Sequence, residues 1–319
     1  MVVAAVVAYI LIWFALAEQA RARLESWAAE RRAHGWTVAW DDLHSSGFPW
    51  RLTLGLEQPR LARPDGLGWS GPVLTLWSHP WRPDLIHVEG RGAQRLEGGG
   101  GVLALEVERF AATLGRGSVE AHAHGIAGAE VAVADLGVSI AALPMQKDAS
   151  ERTASWRFAL SARDITLPPA AGPGGTVALA ELVGRVLGPV PDAPPVAALA
   201  QWSRQGGTVE LDQVALNWPP VAVEGSGTAA LDPAGQPLLA LSAQVRGLDV
   251  LMDRLAGDGL LDPGAARVAK TILGLMARPD SRGRPAVPVP ITVQDGALFV
   301  GPARMAAVPA IPWADFPGR

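Results

Sequence analysis

The chain has 319 residues, 49% of them apolar, with 27 Lys and Arg against 31 Asp and Glu, a formal charge of −4. The apolar share excludes an intrinsically disordered chain, and the weakly acidic balance argues against a dedicated nucleic-acid binder. Having no cysteine excludes a disulfide framework and a thiolate zinc site.

Val2 to Ala17 is an uncharged, almost wholly apolar run. As a helix it rises about 24 Å, somewhat short of the roughly 30 Å bilayer core. Three readings fit it: a membrane anchor, a signal peptide cut near Ala15-Leu16-Ala17, or a buried core helix. The helical pattern continues through Ala20, Leu24, Trp27 and Ala28 with charges between them, and His34-Gly35 supplies a stop. That continuation favours an anchor and stalk over residues 1–34. Arg21, Arg23, Arg31 and Arg32 follow the run, so the positive-inside rule taken literally places the bulk of the chain in the cytoplasm. A basic segment from an upstream in-frame start would restore the opposite polarity, and this is the expectation.

From Trp36 onward the period is two. In Arg51-Leu52-Thr53-Leu54-Gly55-Leu56-Glu57 the leucines share one face. Similar runs are Val73–Trp77, Leu85–Glu89, Val102–Phe110, Ser118–His124, Glu130–Ile140 and Trp156–Ile165. Later come Thr208–Asn217, Val221–Leu231, Leu238–Val245, Pro288–Val293 and Ala297–Val300. Turns such as Asp232-Pro233-Ala234-Gly235 separate them. One-sided alternation predicts antiparallel pairing. The expected class is mainly β with a few helices (α+β), built on large curved antiparallel sheets behind the N-terminal helix.

Four helices are expected after the stalk. The first is Val177–Leu187, with Leu179, Leu182, Val183 and Val186 on one face, and the second is Val196–Arg204. Asp249–Leu255 and Ala265–Ala277 follow, the last started by Asp262-Pro263 and stopped by Arg278-Pro279. The division is therefore 35–167 as an N-terminal β half, 168–205 as a Gly/Pro-rich linker with helices, and 206–319 as a C-terminal β half. Glu210–Leu216 and Thr292–Leu298, with Val131–Leu136 as a looser copy, share alternation around a polar or glycine bend, too irregularly for a solenoid.

Seven of the twelve tryptophans lie between 27 and 81. Core packing explains most of them, and a rim of indoles at a bilayer headgroup layer is the sharper alternative. Trp36 and Trp40 share a face if their strand is regular, as do Trp69 and Trp77 if no bend intervenes. Glu120, His122 and His124 share a strand face without a further ligand at a recognised spacing, so no metal site is assigned. Asp41, Asp42, His44, Ser45 and Ser46 are neighbours in sequence, which does not make a triad, and no nucleophile elbow is present. Gly98–Gly101 lacks the following Lys-Ser/Thr of a phosphate loop and reads as a hairpin tip. No catalytic residue, cofactor or metal is assigned.

Ser46-Gly47-Phe48-Pro49-Trp50-Arg51-Leu52-Thr53-Leu54, set behind an apolar N-terminus and a short charged helix, resembles the domain-of-unknown-function family 2125 of proteobacterial envelope proteins. Gly206–Leu211, Asn217–Pro220, Gly225–Gly227 and Thr292–Pro302 resemble its C-terminal half. A looser resemblance is to AsmA-like envelope proteins, which implies an anchor and a β-rich groove facing the periplasm. The resemblance implies a non-enzymatic, single-pass inner-membrane protein with its bulk in the periplasm, shielding or passing phospholipid, with envelope proteins as further partners. Leu52, Leu54, Leu56, Leu74 and Leu76 are the candidate groove residues. A closed-core scaffold or binding module without lipid is the nearest rival, and an envelope hydrolase the third reading.

Overall fold

The apolar N-terminal run and the amphipathic stretch behind it form one helix, α1 (Val2–Ala33), of 32 residues, about 48 Å long at 1.5 Å per residue. The computed structural model describes residues 2–98, 101–147, 153–168, 175–191, 195–259, 261–280 and 282–311. Trp13, Ala17 and Ala28 of α1 are buried, and Ala20 and Leu24 pack against the sheet core. These positions recur every three or four residues, so a single stripe faces inward. Gly35, at φ +80°, ends the helix. Its N–H donates to the Arg32 carbonyl at 3.0 Å and that of Trp36 to the Arg31 carbonyl at 3.1 Å, a Schellman stop. Among the described residues no helix is long and apolar enough to cross a membrane.

The chain divides into two compact units, Met1–Ile140 and Ala141–Arg319. In the first, α1 is followed by β1 (Thr37–Ala39), β2 (Asp42–Ser46), β3 (Leu52–Glu57), β4 (Arg60–Ala62), β5 (Gly68–Ser70) and β6 (Val73–His79). The long strands β7 (Arg82–Gly98), β8 (Gly101–Gly115) and β9 (Ser118–Ala127) come next, and β10 (Ala132–Lys147) leads into the second unit. The ladder β2-β3-β6-β7-β8-β9 is antiparallel throughout. A second ladder, β1-β4-β5, joins the far half of β7.

These two ladders are one set of strands, bent at Trp40-Asp41, Gln58-Pro59 and Gly71-Pro72. Backbone hydrogen bonds cross the bend from Asp41 to Glu57 and from Gln58 to Pro72, both at 2.8 Å. On β7 the register shifts between Gly90 and Gly92 at the same level, a bulge that lets a strand turn. Trp69 and Trp77 therefore lie on opposite sides of a bend, and Trp36 and Trp40 flank β1 instead of sharing a regular strand.

In the second unit the strands are β11 (Thr153–Thr166), β12 (Thr176–Leu187), β13 (Thr208–Trp218), β14 (Val221–Leu231), β15 (Pro237–Arg246), β17 (Pro285–Gln294), β18 (Ala297–Val300) and β19 (Ala303–Ala307), with the short β16 (Arg278–Pro279) beside β17. Each pairs antiparallel with the next, and β15 pairs with β17 across a helical insertion. Helices α2 (Pro195–Arg204), α3 (Leu248–Gly257) and α4 (Pro263–Met276) fall where the sequence predicts. Asp262 caps α4, its side chain accepting from the Ala265 N–H at 2.9 Å, with Pro263 in the first turn.

Residues 177–187, expected as a helix, are strand β12. They pair along β11 on one side and β13 on the other, with Leu182 opposite both Leu160 and Val214. A strand with two partners and two half-buried faces is apolar on both, which a helical period cannot be told from. The compared segments 210–216 and 292–298 also differ. The former is continuous strand with a register shift, whereas the latter turns at Asp295 and Gly296, both at positive φ.

Trp202 of α2 seals one edge of this unit. Its indole N–H donates to the Leu187 carbonyl at 2.9 Å, and its ring lies on Gly207, where a Cβ would come within 2.2 Å of it. At the other end, Asp280 organises the β16–β17 turn. Its side chain, 1% exposed, accepts from the N–H groups of Arg282 and Arg284, both at 2.8 Å, and from the guanidinium groups of Arg284 and Arg246 at 2.9 and 3.0 Å. Arg246 also donates to Glu224 at 2.8 Å.

Burial raises the pKa of Asp280, but the backbone donors Arg284 and Arg282 and the Arg284 side chain outweigh it and hold the carboxyl at about 2. Glu224 is lowered, first by its hydrogen bond from Arg246, and Arg246 is raised by the same bond. A depressed carboxylate stabilises above its ordinary pKa, here 3.8, and loses that contribution as pH falls towards about 2.

Two outcomes are expected. Trp202→Ala lowers stability by about 3–5 kcal/mol, read from the urea midpoint of the cooperative loss of β signal. Asp280→Asn is less stable than the parent at neutral pH, and the gap between their midpoints narrows as pH is lowered from 4 towards 2. A gap independent of pH in that window would show that the carboxylate charge is not what the turn uses.

Candidate functional site

The alternation Leu52-Thr53-Leu54-Gly55-Leu56 places three leucines of β3 on the face under α1. Register sets Leu56 opposite Leu74 and Leu54 opposite Leu76, but Leu52 opposite Ser78. Leu43, Leu54 and Leu56 form the buried cluster, with Ala20, Leu24, Trp40, Leu74 and Leu76 packed on it. The five residues expected to line a groove thus divide. Leu56 and Leu74 belong to the closed end, and Leu52, Leu54 and Leu76 reach an open one.

At the open end a cleft of about 340 Å³ lies between helix and sheet. Leu16, Leu24 and Trp27 line it from α1, and Leu52, Leu76 and Ile86 from the strands. Its cause lies in the register: a serine stands where a third cross-strand leucine would fill the space. The alanines of the α1 stripe add no bulk there. Gln19, Arg23, Ser45 and Ser78 supply polar groups to the lining. A mostly apolar wall with a few polar groups is the make-up of a small-molecule site, and this volume is at the small end of that class.

Before Leu16, α1 is held to the β2–β3 turn by a clamp that the sequence does not announce. Trp13 donates its indole N–H to the Arg51 carbonyl at 3.2 Å, and the Tyr9 hydroxyl donates to the Pro49 carbonyl. The Phe48 ring meets Trp13 edge-on at 5.4 Å and stacks towards Phe14 at 6.4 Å. The only sequence signal was proximity of aromatic residues in two segments with no way to know they touch. Trp77 stacks on His87 at 3.8 Å, donates to Glu89 at 3.0 Å and has the Arg51 guanidinium 5.1 Å from its ring centroid. Among the described tryptophans, Trp13 and Trp202 are buried, while Trp27, Trp50 and Trp81 are exposed.

A larger hollow, about 810 Å³, lies at the sheet bend between Arg60, Trp69, Arg95, Glu97 and Glu106. Its buried Gln94 accepts from Trp69 at 3.0 Å and donates to the Arg91 and Gly92 carbonyls at 3.1 and 3.2 Å. Both N–H donors and the oxygen of that amide are thus engaged at the bend.

The sequence candidates for chemistry do not converge. His122 faces Glu120 at 3.4 Å, whereas His124 turns to Asp135. Among the described residues no group of three or more His, Cys, Asp or Glu could hold a metal ion. His44 lies 3.6 Å from Asp42 with its ring covering Gly55, while Ser45 lines the cleft. Gly98 pairs with Gly101, and Gly99 and Gly100 lie outside the described residues. The shifted pKa values belong to the Asp280 cluster in the other unit and accompany a structural turn.

The bacterial family described as "Uncharacterized protein conserved in bacteria (DUF2125)" matches residues 13–309. No curated protein and no solved structure matches the chain, and nothing in the family match connects it to AsmA-like proteins.

Proposed function

The chain belongs to the DUF2125 family, and we propose that it is a non-enzymatic, membrane-attached envelope protein that shelters a phospholipid acyl chain in the cleft under α1. The observation that carries the reading is the position of that cleft. Its apolar walls begin at Leu16, where the uncharged run of α1 ends. Val3, Val6, Val7, Leu11, Ile12 and Phe14 of that run are exposed, an apolar surface that water does not favour and that lipid would cover. A lipid at the helix would find the cleft mouth within one turn. In this reading α1 lies in the inner membrane and the β units stand in the periplasm. A closed-core scaffold is the second reading, favoured by the sealed end at Leu43, Leu56 and Leu74 and by Val268, Ile272 and Leu275 exposed along one side of α4.

Native mass spectrometry of the full chain released from mild detergent is expected to show a phospholipid adduct. Leu16→Trp, which adds bulk to the cleft from the helix side without touching the core cluster, is expected to remove that adduct while the melting transition remains cooperative. An apo mass for the parent, or an adduct that survives the substitution, would favour the scaffold. For orientation, alkaline phosphatase fused after Arg319 is expected to be active in cells; an inactive phosphatase with a fluorescent cytoplasmic reporter at the same place reverses it.

A further inference from the structure

The turns between β2 and β3 and between β6 and β7 lie together beside the apolar half of α1. Phe48, Trp50 and Trp81 project from them, 47%, 69% and 57% exposed. We propose that these rings form an aromatic wedge that seats in the headgroup layer of a phospholipid bilayer and fixes the depth at which the cleft mouth opens. The inference rests on the membrane reading of α1 and deepens it.

Three observations carry the choice of occupant. First, the β2–β3 turn is hydrogen-bonded to α1 at Tyr9 and Trp13, in the middle of the uncharged run. Whatever immerses Leu11 and Ile12 must bring Phe48 and Trp50 to the same level, since Tyr9 and Phe14 are only about 7.5 Å apart along the axis. Secondly, four carbonyl groups of the turn, those of Gly47, Pro49, Trp50 and Arg51, are already used within the protein. Gly47 accepts from the Arg51 N–H at 2.9 Å, Pro49 from Tyr9, Trp50 from His79 at 3.0 Å, and Arg51 from Trp13. A loop entering low-dielectric surroundings must satisfy its backbone internally, and these four carbonyls are satisfied in that way. Thirdly, the second tip is tied to the first, because His79 stacks on Trp81 at 4.9 Å while bonding the Trp50 carbonyl. Trp is the side chain that settles at the membrane–water interface, an apolar body with one N–H left for the headgroups.

The chain has no cysteine, so single labels can be placed without a background. Leu11→Cys, Trp50→Cys, Trp81→Cys and Glu97→Cys, each in the full chain, are labelled with a fluorophore and bound to phosphatidylcholine vesicles. Glu97 lies roughly 50 Å of strand from Arg82 at 3.3 Å per residue. All four original residues are exposed, so the labels displace little packing. Labels at 11, 50 and 81 are expected to be quenched several-fold more by nitroxide lipids than by aqueous iodide, and the label at 97 the reverse. If 11 reports lipid while 50 and 81 report water, the wedge is overturned and the membrane reading of α1 stands. If 11 also reports water, both fall. Labels at 50 and 81 shielded from both quenchers would mean a protein covers the tips, and would overturn the wedge too.

Discussion

The structure of the first unit depends on one contact, the stripe of α1 lying on the leucine face of β3 and β6. Alanines at 17, 20 and 28 let the helix backbone approach the sheet, while Leu24 enters the space among Leu43, Leu54 and Leu56. Burying a leucine side chain is worth about 1.5–3 kcal/mol, so each leucine of this small cluster adds to holding α1 on the sheet. The same contact creates the cleft, because the leucine ladder ends one cross-strand pair before the helix leaves the sheet. Packing and opening are therefore two parts of one register.

Much of this was legible before any coordinates. Strict alternation marked most strands, and the runs 221–231 and 297–300 match β14 and β18 at both ends. Capping chemistry placed α4 and the end of α1, because Asp-Pro and His-Gly act through the backbone of their own neighbours. Asp232-Pro233-Ala234-Gly235 was read as a turn for the same reason, and Asp232 accepts from the N–H groups of Ala234 and Gln236 at 2.8 and 2.7 Å. Asp280 in Asp280-Ser281-Arg282-Gly283-Arg284 receives bonds at the same offsets. That turn could have been found by the spacing of Asp and Gly alone.

What was not legible depended on partners distant in sequence. Residues 177–187 satisfy a helical period and a strand period equally, and the pairing with β11 and β13 decides between them. The bend across three strand pairs is invisible in any one of them: each break is an ordinary Pro or polar dipeptide until register aligns them. Alternation puts Leu52, Leu54 and Leu56 on one face of β3, and register sets Leu74 and Leu76 of β6 opposite two of them. Which of them are sealed and which are open follows from Ser78 facing Leu52, a fact of pairing.

The arginines behind the apolar run illustrate how a sequence rule and a folded structure can use the same residues. Counted by position, Arg21, Arg23, Arg31 and Arg32 argue for a cytoplasmic body. Yet Arg31 lies over Trp27 and Trp36 at 5.9 and 5.5 Å. Arg32 lies over Trp40 at 5.5 Å and donates to the Val38 carbonyl at 2.7 Å. Both sit in the last turn, where a cation also favours the helix dipole. Arg21 pairs with Glu25 at 3.1 Å, and Arg23 lines the cleft. Three of the four have a local cause in helix termination, strand attachment or the cleft wall, and Arg21 in an exposed pair within the helix. Arg31 and Arg32 therefore have a use in folding the helix end onto β1 that does not depend on the positive-inside rule.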